Sequence, residues 1–362
     1  MSILEKITTS FQNKLPFVVY KKPQNNFLSA FFQKNTTLYY TSNYKERGFV
    51  FAPFNNENSA VLIPIEQSNF FKEKLVLEPI HFESEMHVMP DTSSAKKNHI
   101  KLVEKAISAI NQNEFKKIVL SREEVVALSD FDLTKVYKKL LANNLNAMVY
   151  VWYHPKVGLW LGATPETLLS IDGDRFETMS LAGTQAFKGT TNVKWQSKEI
   201  KEQQFVTDYI IDNLHKITSN LNISKTTTAK AGNLLHLQTK INAAFKTNGF
   251  ITNENKNELL IKTLHPTPAI CGLPKEVTKQ FILQNENYNR SFYTGFLGEL
   301  NFEKPLGAIN ETYSTLFVNL RCMQIKEAKA FIYVGGGITK ESNPEKEWLE
   351  TVAKTQTLKR VL

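Results

Sequence analysis

The chain has 362 residues, 42 % of them hydrophobic and 22 % charged, with a formal charge of +9. That is the composition of a soluble globular protein with ample length for a large core. It excludes a membrane helix, since no apolar run approaches the roughly 18 residues one needs, and its two cysteines, Cys271 and Cys322, exclude a disulfide framework or a zinc cluster.

The N-terminus, Met1-Ser-Ile-Leu-Glu-Lys-Ile-Thr, interrupts its apolar residues with charges and is unlike a signal peptide. With reduced cysteines, this predicts a cytoplasmic protein. The lysines are interleaved with glutamates, so the positive charge suits a small anionic substrate and predicts no nucleic-acid partner. Strands are expected at Pro16–Tyr20, Thr37–Thr41, Gly48–Phe51 and Ala60–Ile63, which are β-branched or aromatic runs broken by polar turns. A polar connection over Met89–Lys97 separates a strand-rich segment, residues 1–95, packing on a main domain over 96–362.

Ile100, Val103, Ile107 and Ile110 share one face of an amphipathic helix. Lys117–Ser121 follows as a strand, on which Lys117 and Val119 point to one side and Ile118 and Leu120 to the other. A lysine drawn into an apolar cavity is a candidate general base; an exposed edge lysine is the plainer alternative. A helix over Asp132–Ala142 and strands over Ala147–Tyr153 and Gly158–Gly162 come next. In Gly162-Ala-Thr-Pro-Glu-Thr167, glycine and proline fix a bend before Glu166, a rigid corner suited to an acid. Leu181-Ala-Gly-Thr184 is small enough for a ligand to approach the backbone.

Ser197 is positioned to cap a long helix with Ile200, Phe205, Val206, Ile210 and Leu214 on its buried side. Helices are expected over Leu234–Phe245, Glu254–Leu264 and Lys275–Asn285. The run Leu264-His-Pro-Thr-Pro-Ala-Ile-Cys-Gly-Leu-Pro-Lys275 between the last two reads as a rigid loop, a common site wall. His236 sits among leucines and, taken alone, reads as a satisfied core histidine rather than a substrate contact. Strands return at Thr294–Leu300, Ser314–Gln324 and Ala330–Val334, the last running into a Gly335-Gly-Gly337 turn. Tyr293 and Arg321 together suit a carboxylate, Arg through a bidentate fork. The final helix opens at Asn343-Pro344.

Two Glu-x-x-Glu pairs, Glu199 with Glu202 and Glu347 with Glu350, each place two carboxylates on one helix face. Taken singly they read as solvated surface. Gathered at one site they would call for a hard divalent cation such as Mg²⁺, which prefers oxygen ligands. Helices interrupt runs of strands without strict alternation, which predicts an α+β fold, an α/β sandwich.

Taken in order from about residue 96 to the C-terminus, these blocks resemble the chorismate-utilising enzymes: isochorismate, salicylate, anthranilate and aminodeoxychorismate synthases. The resemblance implies two stacked antiparallel-rich sheets flanked by helices, with one Mg²⁺-dependent active site between them. By resemblance, Glu202 and Glu350 coordinate Mg²⁺, with Glu199 and Glu347 as supporting acids. Tyr293, Arg321 and the backbone of Gly335 and Gly337 hold the enolpyruvyl carboxylate. Gly183 and Thr184 touch substrate, Lys354 lies near the metal-bound carboxylate, and His236 lies near the departing ring hydroxyl.

Three positions select among members. Lys117 matches the lysine that activates water in isochorismate and salicylate synthases. Ala182 stands where aminodeoxychorismate synthases carry a nucleophilic lysine, and Ala269 where salicylate and anthranilate synthases tend to have threonine. Gln203 and Thr164 depart from the commoner histidine and serine. The resemblance therefore implies an isochorismate synthase acting on chorismate, with Lys117 as base and Glu166 as acid. It implies a monomer without an obligate partner subunit, serving menaquinone or siderophore synthesis. Salicylate synthase is the alternative, followed by an anthranilate-type subunit or an inactive chorismate-binding homologue.

Overall fold

A computed structural model describes residues 1–76, 93–245, 255–304 and 311–362. Helix α1 (Ile3–Gln12) precedes six strands: β1 (Phe17–Lys21), β2 (Phe27–Gln33), β3 (Tyr39–Thr41), β4 (Gly48–Ala52), β5 (Ala60–Pro64) and β6 (Ser68–Lys74). Then come α2 (Ser93–Asn111), β7 (Lys117–Ala127), α3 (Leu133–Asn143), β8 (Met148–His154), β9 (Gly158–Thr164), β10 (Thr167–Asp172) and β11 (Arg175–Ala186). Next are α4 (Ser197–Leu214), β12 (Thr218–Ile223), β13 (Thr227–Ala231), β14 (Leu234–Phe245), α5 (Lys256–Leu264), β15 (Gly272–Leu273) and α6 (Lys275–Asn285). The chain closes with β16 (Phe296–Glu303), β17 (Thr312–Val318), β18 (Cys322–Lys326), β19 (Lys329–Ile338) and α7 (Pro344–Lys359).

The strands build two antiparallel sheets. The first runs β15-β7-β19-β18-β9-β8-β1-β2-β6 and the second β12-β14-β11-β10-β17-β16-β4-β5-β3, with β13 also on β14. Alternation along each strand decides the layers. In β1, Phe17 and Val19 face a core shared with α1 and α3, while Val18 and Tyr20 face the second sheet. In β4, Phe49 and Phe51 meet them from the other side, while Val50 and Ala52 join the core beneath α4 and α5. Both strands are thus apolar on both faces, as central strands of a sandwich must be. Large aromatics, among them Phe51, Trp152 and Trp160, fill the space between sheets, and each such burial is worth roughly 1.5–3 kcal/mol.

The expected α+β sandwich is therefore present, with corrections. The segment expected over 1–95 is strand-rich in its described residues, and its strands are built into both sheets: β1, β2 and β6 extend the first and β3, β4 and β5 the second. The connection expected over Met89–Lys97 begins outside the described residues, and α2 already starts at Ser93; Glu254, the expected start of the helix before Leu264, also lies outside them. Leu234–Phe245 is a strand, not a helix: Leu235, Leu237, Thr239, Ile241, Ala243 and Phe245 are all buried at period two. Ser314–Gln324 divides into β17 and β18, which lie in different sheets. Gly335–Gly337 is no turn; it lies within β19, paired to Ser121, Leu120 and Val119 of β7. Gln196, not Ser197, is the N-cap of α4, and Ile200 is 51 % exposed.

Candidate active site

The chain crosses between the sheets at two adjacent places. Pro165 and Glu166 lead from β9 in the first sheet to β10 in the second. Asn319, Leu320 and Arg321 lead back from β17 to β18. Backbone hydrogen bonds lock the crossings together, Val318 N–H donating to Glu166 O at 3.0 Å and Ala163 N–H to Arg321 O at 3.0 Å. Arg321 takes a left-handed φ of 46°, a conformation costly for a side chain and typical of residues held for function. The cleft beside these crossings is walled by β11 and β14 on one side and β7 and β19 on the other. Helix α4, packed on β11, and helix α7, packed on β19, complete it.

The cleft gathers Glu166, Ala182, Gly183, Thr184, Glu202, His236, Ala269, Tyr293, Arg321, Gly335, Gly337, Glu350 and Lys354. Lys117, the first residue of β7, lies just behind it, fully buried rather than at an exposed edge. Its Nζ stands 3.2 Å from Glu202 Oε1 yet makes no well-formed hydrogen bond. Gly337 makes that approach possible. A Cβ there would lie 2.1 Å from Glu202 Oε1 and 3.2 Å from Lys117 Cε. Gly335 does the same for Tyr293, whose hydroxyl would be 3.1 Å from an added Cβ.

Glu166 is buried, and burial pushes its carboxyl from the ordinary 4.5 up to about 8, although Lys117 pulls the other way. It is therefore protonated at neutral pH. Thr164 helps to hold this corner, its hydroxyl donating to Val318 O at 2.6 Å. His236, on β14, lines the cleft rather than lying inert in the core. Arg321 has only donors, and its NH2 lies 2.6 Å from His236 Nε2. Nε2 must accept, so Nδ1 carries the proton and donates to Gly183 O at 2.9 Å. Burial, aided by Arg321, drives the imidazole down to about 3, consistent with this neutral form. Burial also lowers Arg321 to about 10, which leaves it charged at neutral pH. Arg321 NH1 donates to Ala231 O at 2.8 Å, so two anchors aim the guanidinium while other N–H groups remain for a ligand.

Three carboxylates face the glycine strand. A Cβ on Gly336 would lie 3.5 Å from Glu350 Oε1 and 3.7 Å from Glu347 Oε2. Helix α7 is fixed for this by Arg122 of β7, which donates to Thr351 Oγ1 at 2.9 Å and lies 4.4 Å above the Trp348 ring. Lys354 donates to Glu350 at 2.6 Å and to Gly335 O at 2.8 Å. Burial raises the Glu202 carboxyl, but Lys117, Lys198 and Lys354 outweigh it and hold the group below its usual value. Glu347 goes the other way, raised by burial and by Glu350 despite Lys198.

Glu199 is not brought to this group. Its carboxylate accepts from Gln196 N–H at 3.0 Å, capping its own helix, and its Cβ abuts Gly183. Gly183 has φ of 72° at a bulge in β11, and a side chain there would press to within 3.0 Å of Glu199 Cβ. Gln203 faces away from the cleft and binds Ser180 Oγ at 2.9 Å and Thr239 Oγ1 at 3.2 Å, fastening α4 to the second sheet. Sequence reasoning missed Lys198, whose ammonium reaches from α4 to Glu347 on α7. Its one sequence signal is its position four residues before Glu202 on the same helix.

The residues present suit a hard divalent cation. Glu347 Oε2 is buried without a well-formed hydrogen bond, beside Glu350. Among the described residues no three His, Cys, Asp or Glu side chains enclose a metal position. Mg²⁺ commonly takes one or two carboxylates with waters and ligand oxygens instead of an all-protein cage.

A profile of the family described as chorismate binding enzyme matches residues 49–362. The salicylate biosynthesis isochorismate synthase of Pseudomonas aeruginosa is 28 % identical over 269 residues, 72 % of this chain and 53 % of that protein. Isochorismate synthase MenF of Pasteurella multocida is 29 % identical over 277 residues, 72 % of this chain and 60 % of that one. The matched stretch thus covers less than two thirds of either relative. Among solved structures, a Bacillus anthracis protein described as a 2,3-dihydroxybenzoate-specific isochorismate synthase, DhbC, gives a TM-score of 0.78. It is 22 % identical, with 99 % of each chain covered. The menaquinone-specific isochorismate synthase MenF of Escherichia coli gives 0.77 at 20 % identity, covering 96 % of this chain and 88 % of that one. Both share this fold. Among the described residues, no helix is long and apolar enough to cross a membrane.

Proposed function

The chain belongs to the chorismate-binding enzyme family, and from that premise we propose that it is an isochorismate synthase, converting chorismate to isochorismate. The observation that carries the reading is a protonated acid and a buried amine at one cleft. Glu166 holds its proton to about pH 8, and Lys117 is buried behind the cleft, near enough to act on the Glu166 charge, with an Nζ free of any well-formed hydrogen bond. Paired groups of this kind suit one proton taken and one proton given.

In the reaction proposed, Lys117 acts as the base that takes a proton from a water as that water bonds to C2. Glu166 gives its proton to the C4 hydroxyl, which leaves as water while both ring double bonds shift, C1=C2 to C1=C6 and C5=C6 to C4=C5. One water enters and one leaves, so the change is an isomerisation. The protons return through solvent. Arg321, aimed by His236 and Ala231, and Tyr293 beside Gly335 are suited to a substrate carboxylate. Glu202 and Glu350, with Glu347 close by, would hold Mg²⁺, which when bound supplies positive charge for the second carboxylate. Glu199 is left out of this set because it caps α4.

Ala182 and Ala269 line the cleft and bring no nucleophile to it, which favours water over an amine as the incoming group. The deciding experiment is incubation of purified protein with chorismate and Mg²⁺, followed by separation of products. Isochorismate alone supports the proposal. Salicylate with pyruvate would assign the further elimination, and anthranilate formed only with ammonia would replace the reading. Tight chorismate binding without any product would make the chain an inactive homologue.

A further inference from the structure

Three lysines meet three carboxylates one to one. Lys117 pairs with Glu202, Lys354 with Glu350, and Lys198 with Glu347. They are not held equally. Lys117 is fully buried, and Lys354 has a second partner in Gly335 O. Lys198 stands in the first turn of α4 and reaches across to α7, with its side chain 25 % exposed. Its long stem can return the ammonium to water by rotation alone. Glu347 cannot follow. It is 1 % exposed, with the Ser342 hydroxyl beside it, and its Oε2 is buried without a well-formed hydrogen bond, facing the same glycine as Glu350. A buried carboxylate oxygen without a well-formed hydrogen bond is costly and favours any cation that reaches it.

We infer that Lys198 is a displaceable counter-cation, which occupies Glu347 in the metal-free cleft and gives way when a divalent ion enters beside Glu202 and Glu350. This rests on the metal reading proposed above. Lys198 touches no reacting atom and is a positioning residue. Its ammonium competes with the ion, so it weakens metal binding to the substrate-free protein and keeps the carboxylates neutralised until loading.

The test is direct ion binding without chorismate, by calorimetry with Mg²⁺ and electron paramagnetic resonance with Mn²⁺. Lys198→Gln should bind either ion about tenfold more tightly than wild type, because no ammonium has to leave. Lys198→Arg keeps the charge and should bind no more tightly than wild type. Mg²⁺ should also raise Tm further in Lys198→Gln than in wild type, as tighter binding to the folded state requires. Equal or weaker ion binding by folded Lys198→Gln would overturn the inference while leaving the metal site standing. So would tightening by Lys198→Arg equal to that by Lys198→Gln. If wild type and both variants bound neither ion, the metal reading itself would fall, and the inference with it.

Discussion

Glu166 offers the sharpest quantitative test, because its environment ties stability and catalysis to one proton. Its carboxyl titrates at about 8 in the folded protein against an ordinary 4.5. As pH rises, the unfolded chain loses this proton first, so the folded state binds more protons between the two values. Stability must therefore fall across that window, reaching its full loss above pH 8. The gap of about 3.5 pH units, at about 1.4 kcal/mol each, comes to roughly 5 kcal/mol. Glu166→Gln keeps the shape and cannot ionise. Urea unfolding of both proteins in EDTA, followed by tryptophan fluorescence from pH 4.5 to 9, isolates the effect, since other groups cancel in the difference. The variant should gain on wild type by several kcal/mol from pH 5 to 8.5. A difference that stays flat within about 1 kcal/mol would refute the burial argument. The same variant should lose turnover with chorismate by roughly 10²–10⁴-fold. Wild-type kcat/KM should decline as pH rises through about 8, since an acid must hold its proton to give it.

Three further outcomes are expected. Lys117→Ala should lower turnover by roughly 10²–10⁴-fold at saturating Mg²⁺, and wild-type turnover would end its assignment as base. Gly337→Ala places a Cβ 2.1 Å from Glu202 Oε1, so the carboxylate must move. This should cost about 1–3 kcal/mol of stability and weaken Mg²⁺ binding; an unchanged metal titration would show that Glu202 is not a ligand. Nitrogen NMR of His236 should report a neutral ring protonated on Nδ1 from pH 5 to 8, and a titration within that range would contradict its bond from Arg321.

Local chemistry was readable where one element carries it alone. Glu347 and Glu350 share a helix that Asn343 and Pro344 announce, and the proline at Pro165 marks the corner that holds Glu166. Lys117 followed from its place in a strand, although only the packed structure shows it buried. What sequence could not give depends on partners distant in the chain. Leu234–Phe245 has residues of good helix propensity, with Leu234 and Ala244 blurring its alternation, and pairing with β11, β12 and β13 made it a strand. The three glycines of β19 suggested a turn because glycine usually marks one. The real demand falls on Gly335, where Tyr293 presses against the strand, and on Gly337, where Glu202 and Lys117 do, while a Cβ on Gly336 would make only ordinary contacts. Glu199 was indistinguishable from Glu202 by spacing, and only the start of α4 at Gln196 assigns it to capping. Lys198 needed α4 and α7 to face each other before its role existed.

The interleaving of early and late strands governs how this chain reaches its fold. β1 pairs with β8 and β4 with β16, so residues near the N-terminus find their neighbours more than a hundred, and then nearly two hundred and fifty, positions later. Such long-range pairing gives a high contact order and slow folding. During synthesis Phe17–Lys21 can pair with β2 and Gly48–Ala52 with β5 at once, but each keeps one edge open, the first until β8 emerges and the second until β16 does. Truncation at the start would not remove an appendage. It would bare the edges of β8 and β16, two strands with much of their surface buried, and turn the remaining protein toward aggregation.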